Sequence, residues 1–316
     1  MINRDFVESR GASRALEPGA GRPRTHRFGN YLKTAILLAG LTALALVIGE
    51  QLGGPRGLVL AGFFVAIMNF VSWWFSDRIA LAVHGAHPLD VERAPWLFDM
   101  VQRLAQRAGL PMPKLYVIDI PTPNAFATGR SPSKAALAVT TGLLELMDRR
   151  ELEGVLAHEL AHVQNRDTLI STVAATLAGV ITWAVQSIFW FGGAFLGRGD
   201  DDREGGVGNA LASLGLLLVA PIAATLLQLA VSRSREYGAD ASGAAITGDP
   251  DALADALLKL QRGVEHFPYD RAPATAHLFI VNPFSGGGVM ALFSTHPPIE
   301  ERVRKLREMR PALQGW

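Results

Sequence analysis

Polar residues fill the first thirty positions, and the chain then turns apolar in two steps. Residues 1–30 are rich in Gly, Pro and Arg and carry neither a helical nor a strand period, which predicts a disordered tail. The tail is no signal peptide, because the apolar run starts late and no small-residue cleavage site follows it. "YLKTAILLAGLTALALVIG" at 31–49 and "LVLAGFFVAIMNFVSWWF" at 58–75 come next, parted by a Gly-Pro turn. Each approaches the ~20 apolar residues that cross a ~30 Å hydrocarbon layer. Trp73 and Trp74 end the second run, where an interfacial aromatic belt falls. Two later runs, 168–197 and 209–232, contain no charged residue, and Pro221 sits inside the last. Buried core helices rarely stay uncharged for so long, so all four runs are expected to span a membrane.

Between and after these runs the pattern becomes that of a globular domain. "ERAPWLFDMVQRLAQRAG" places Leu97, Met100, Val101, Leu104 and Ala108 at helical spacing before a glycine stop. "KLYVIDI" at 114–120 and "AALAVTTG" at 135–142 read as strands. Asp148 and Glu151 form a D-x-x-E capping box ahead of another helix. "GDPDALADALLKLQRGVEHF" is a helix with Asp249 as N-cap and Pro250 in its first turn. The expected fold class is an α-helical integral membrane protein with four transmembrane helices and an α+β domain outside the bilayer. Its parts are a tail (1–30), a first hairpin (31–75), a first domain segment (76–166), a second hairpin (167–232) and a second domain segment (233–316).

Charge sets the orientation. Arg4, Arg10, Arg14, Arg22, Arg24 and Arg27 lie in the tail; Arg78, Arg149, Arg150 and Arg166 in the middle segment; Arg233 and Arg235 after the fourth run. The two opposite loops are short, one with a single arginine and one net acidic. The positive-inside rule puts the tail and both domain segments in the cytoplasm. Over all 316 residues the net charge is only +1, which excludes the global basic field of a nucleic-acid binder. Hydrophobic residues make up 49% and charged ones 19%, against about a quarter charged in soluble domains, and mean hydropathy is +0.21. Cysteine is absent, so any metal must be held by histidine and carboxylate.

The chemistry concentrates in "VLAHELAHVQNRD", residues 155–167. His158 and His162 are one helical turn apart and project from one face, where two imidazoles can bind a single Zn²⁺ at ~2.0–2.1 Å. Glu159 beside them can serve as catalytic base toward a water on that metal. A polar helix face spelling H-E-x-x-H by chance is the bland alternative. The third ligand is not local, because Asn165 and Thr168 occupy the positions that the extended motif gives to glycine and histidine. Glu236 in "SRSREYGADA" is the best candidate: a hairpin that crosses and returns brings it back to the motif helix. It could instead be an interfacial anchor, like Arg233 and Arg235. Asp240, four residues on, is either a carboxylate orienting a ligand imidazole or a surface group. His296 either stabilises an oxyanion or merely precedes a helix. Arg302 can pair with Asp240 or another carboxylate, or stay solvated as most such arginines do. His84, His87, His266 and His277 have no partner at ligand spacing and read as structural or surface residues.

These segments, with "AGLPMPKLYVI", "PNAFATGR", "AVTTGLLELMDRRELEGVLAHELAHVQNRD" and "LFSTHPPIEERV", resemble the HtpX-type membrane zinc metalloproteases, in the wider group that includes the prenyl-protein endopeptidases. The resemblance covers most of the chain from about 88 to 309, in the family's order. It implies one zinc per subunit on His158, His162 and Glu236, with Glu159 as base, in a cytosolic α+β zincin-like metalloprotease domain whose two parts are 76–166 and 233–316. It also implies quality control of membrane proteins in a bacterial inner membrane, with membrane-protein substrates and possible contact with other membrane proteases. It further implies that Asn124, Ala125, Phe126, Ala127 and Thr128 form the edge strand along which an extended substrate lies. The arginine-rich tail is longer than the family leads one to expect. A zinc-stabilised membrane scaffold without proteolysis is the alternative, and Glu159, which a structural site does not need, separates the two.

Overall fold

The structure is a computed structural model that describes residues 25–169, 171, 233–268, 278–281 and 297–310. Helix α1 (Thr25–Val83) holds both early apolar runs and breaks at Gly54, whose φ of 55° and ψ of −145° are not helical. Glycine enters that region without a Cβ clash, and Pro55 then opens the second arm as a first-turn proline. The arms fold back on each other: Asn69 donates to Thr42 Oγ1 at 2.9 Å, and Leu46 faces Gly62. Val59, Leu60, Phe63 and Phe64 are each at least 60% exposed. Among the described residues one segment, Gly54–Val71, is long and apolar enough to cross a membrane, with mean hydropathy 1.5 and none of it buried. The runs expected at 168–197 and 209–232 lie, apart from 168, 169 and 171, outside the described residues.

The rest mixes helices with one small sheet. Strands β1 (His87–Pro88), β2 (Lys114–Ile118), β3 (Ala125–Thr128) and β4 (Ala136–Thr140) lie in the order β1-β2-β4-β3. β2 and β4 are parallel, with Lys114 opposite Ala136, and β3 is antiparallel to β4, with Ala125 opposite Val139. β3 is therefore an edge strand. β4 stops two residues short of the sequence pattern because the Thr140 hydroxyl accepts the Leu143 N–H and caps helix α3 (Thr141–Leu146). A local cap outcompetes one more ladder bond.

Helix α2 (Pro95–Ala108) buries Leu97, Met100, Val101, Leu104, Ala105 and Ala108 and ends on a left-handed Gly109. Helix α4 (Arg149–Asn165) starts at the Asp148–Glu151 capping box, both halves of which form; a cap of this kind contributes ~1 kcal/mol. Helices α5 (Arg233–Thr247), α6 (Pro250–His266) and α7 (Ile299–Glu308) complete the described elements. α4 runs through the middle, packed on α2, α5, α6 and β3, with Val155, Leu156, Ala157 and Ala161 fully buried. Because its apolar residues point in all directions, its polar residues are forced into the interior, and they must find partners there.

Candidate active site

The spacing of four on α4 sets the two histidine rings edge to face, with their planes at 85° and their Nε2 atoms 3.2 Å apart. Glu236 comes from α5: one carboxylate oxygen is 3.5 Å from His162 Nε2 and the other 3.7 Å from His158 Nε2. These three residues are the group among the described residues whose donor atoms converge closely enough to hold a metal ion. Donors bound tetrahedrally at the usual zinc distances stand about 3.4 Å from one another, so the observed separations fit one such ion. Glu236 reaches α4 because the two helices nearly touch. A Cβ on Gly243 would stand 3.0 Å from the backbone of His158. Glu236, Asp240 and Gly243 follow the i, i+4, i+7 spacing of one helix face, so the glycine that allows the approach also brings both carboxylates to the histidines.

Behind each imidazole stands a carboxylate. His158 Nδ1 is 3.0 Å from Asp240 Oδ1, and Asp240 accepts two hydrogen bonds from Arg302, at 2.7 and 2.9 Å. Arg302 is fully buried and also donates to the Ile280 carbonyl at 3.2 Å. Burial alone would push the Asp240 carboxyl up, but Arg302 and His158 hold it far below the usual carboxylate range. His162 Nδ1 is 3.1 Å from Asp167 Oδ2. Burial would lower this imidazole, yet Glu236 and the Asp167 contact outweigh it and raise His162 to about 9.

Glu159 points the other way, toward the sheet. Its Oε2 accepts the Ala127 N–H of β3 at 2.9 Å, and burial, the largest influence on it, raises its pKa. Asn124 to Thr128 are all buried, and Asn124 Oδ1 accepts the Ile280 N–H at 3.1 Å. The edge strand therefore lies inside a cleft rather than on an open face, with a central N–H already held by Glu159. The cleft lining combines apolar side chains (Phe126, Leu278 and Phe279) with polar ones (Asp167, Thr168 and Arg235).

The structure brings His158, Glu159, His162, Glu236, Asp240 and the 124–128 strand into one place. His296 lies outside the described residues. The structure decides one open reading: Arg302, which could pair with Asp240 or stay solvated, is a fully buried partner of Asp240. Arg235, which the reading as an interfacial anchor would also fit, is buried and lines the cleft. Asp167 was missed as a neighbour of His162, because helical spacing gives no hint of it.

The sequence matches Peptidase family M48 over residues 82–310. Among similar proteins, a "Protease HtpX homolog" of Desulforapulum autotrophicum is 51% identical over 88% of this chain and 90% of its own. Another of the same name, from Pelotomaculum thermopropionicum, is 52% identical over 89% and 99%. A crystal structure of S. mikatae Ste24p aligns at 19% identity with a TM-score of 0.49, covering 89% of this chain and 66% of that one. With most of its length matched, and half its residues shared with these proteases, the chain belongs to peptidase family M48.

Proposed function

We propose that the protein is a zinc-dependent endopeptidase of the bacterial inner membrane, holding one zinc ion through His158, His162 and Glu236. The observation that carries this reading is the convergence of two imidazole Nε2 atoms, 3.2 Å apart, with the two Glu236 carboxylate oxygens, one 3.5 Å from His162 and the other 3.7 Å from His158, and a glutamate beside them. Zinc in such a site supplies Lewis acidity toward water and the scissile carbonyl. Glu159 takes the proton of the attacking water and hands it to the leaving amine. Its present bond to Ala127 N–H fixes the base in register with β3, so a peptide paired along Asn124–Thr128 would bring its backbone to the carboxylate. Two histidines oriented by carboxylates keep Nε2 turned toward the metal. His296, just ahead of α7, donates to the developing oxyanion.

The same reading assigns the four apolar runs to two transmembrane hairpins, at 31–75 and 167–232. The N-terminus and both protease segments (76–166 and 233–316) then face the cytosol, and the substrates are misfolded or damaged membrane proteins. Support comes from the exposed apolar surface of the first hairpin, the arginine distribution and the names of the relatives. The test is proteolysis of a disordered protein by the detergent-purified chain, with zinc, with a chelator, and with Glu159→Gln and Glu236→Ala alongside. Zinc-dependent cutting lost in both variants is the expected result. Cutting that survives Glu236→Ala with zinc affinity intact removes that ligand. A folded, zinc-loaded chain that cuts nothing across several substrates favours a membrane scaffold.

A further inference from the structure

His162 has its own support, and it is built differently from that of His158. In an uninterrupted helix Asp167, five residues on, would point about 140° away from His162. The helix does not continue. Arg166 takes a left-handed conformation (φ 64°, ψ 28°), and it is the non-glycine residue with positive φ among those described. Such a conformation costs a bulky side chain roughly 1–2 kcal/mol and tends to survive where the surroundings require it. Here it swings Asp167 back until Oδ2 is 3.1 Å from His162 Nδ1. The next residue is anchored as well: the Thr168 hydroxyl donates to the Gly129 carbonyl, just beyond β3, at 3.0 Å. Arg235, one residue before Glu236 on α5, is buried and lines the same cleft as Asp167.

We propose that Asp167 is a positioning residue of the metal centre. It fixes the His162 ring through Nδ1 so that Nε2 faces the ion. The proposal rests on the metalloprotease reading above. It makes the strained turn at Arg166 part of the site, since without it the second histidine would have no carboxylate behind it.

The experiment uses the full chain in detergent, stripped of metal and titrated with Co²⁺ and Zn²⁺ against a chromogenic chelator. Co²⁺ absorption bands report the geometry of the site independently of activity, and apo-protein melting reports the fold. Asp167→Asn is expected to weaken binding 10–100-fold and to shift the cobalt bands. Asp167→Glu, which keeps a carboxylate on the same backbone, should recover most of that loss. Wild-type affinity and unshifted bands in Asp167→Asn overturn the proposal, whatever happens to its melting temperature. If Asp167→Asn does not fold, Asp167→Ser is titrated in its place: wild-type affinity with unshifted bands overturns the proposal, and weakened binding with shifted bands supports it. A wild-type chain that binds neither metal sinks the metalloprotease reading itself, and the positioning role falls with it.

Discussion

The two histidines sit on one helix face, one turn apart, yet their surroundings are unlike. Behind His158 the chain Asp240–Arg302 is sealed: Arg302 is 0% exposed, and neither residue lines the cleft. Beside His162 both Asp167 and Arg235 line the cleft, and the imidazole itself keeps 15% of its side-chain surface exposed against 1% for His158. The first arm joins α4, α5 and α7, three elements distant in sequence, through a buried ion pair. The second is made within a few residues of α4, by a turn at its end. An arm that binds helices together acts mainly on stability, whereas an arm facing the cleft acts mainly on the ion and on whatever enters. The same chemical pattern thus serves two ends, and burial decides which.

Breaking the sealed arm should have the largest effect. Arg302→Met leaves the Asp240 carboxylate buried with one partner gone, and loss of one member of a buried ion pair costs about 3–5 kcal/mol. The expected result is a large drop in melting temperature of the metal-free protein. Arg235→Met should move it far less. Equal losses in the two variants would erase the distinction drawn between the arms.

That distinction was only partly legible in the sequence, for reasons that differ residue by residue. The start of α4 was legible because its capping box is local, Asp148 and Glu151 answering each other across three positions. The start of α6 was legible for the same reason, with Asp249 capping and Pro250 following. Glu236 could be nominated only through topology, as a residue returned to the motif helix by an intervening hairpin. Arg302 was legible only as one of two readings, because arginine is seldom fully buried and its partner Asp240 is 62 positions away. Asp167 was hidden by the very periodicity that exposed His158 and His162, since only a break in the helix brings it round. The edge position of β3 came through family resemblance, as no strand pattern says which neighbour a strand will lack.

A change of pH probes the apolar wall of the cleft and leaves the sealed arm alone. His84, at the end of α1, packs against Phe126 at 5.3 Å and Phe279 at 5.9 Å, and burial lowers its pKa from 6.5 to about 4. The unfolded chain therefore takes up this proton more readily than the folded one. Stability from this group is full above pH 6.5 and falls as the pH drops toward 4, by up to about 3 kcal/mol. Asp240, depressed well below the normal range, keeps its charge in the folded state, and its contribution begins to fall only as the pH nears the ordinary carboxylate range at the lower end of that window. Melting temperatures of wild type and His84→Phe, compared between pH 7.5 and 4.5, should diverge on acidification. Parallel curves would mean that His84 is not held neutral by its surroundings.

The smallest effect is expected where the cleft-facing arm begins. Arg166→Gly keeps the turn and removes its strain, because glycine occupies the left-handed region at no steric cost. Helices commonly end on such a glycine, so the helix terminus itself gains. Against this, glycine loosens the unfolded chain and gives back part of the gain. The net expectation is a stabilisation of less than about 1 kcal/mol, with metal affinity unchanged, since Asp167 is still swung back to His162. Arg166→Pro is the counterpart, because proline cannot take a positive φ and must release Asp167 from the ring. Should Arg166→Pro bind metal as tightly as Arg166→Gly, the left-handed turn is incidental to the site. A gap of tenfold or more between the two would mean that the backbone conformation at one residue separates a histidine that is merely present from one that is aimed.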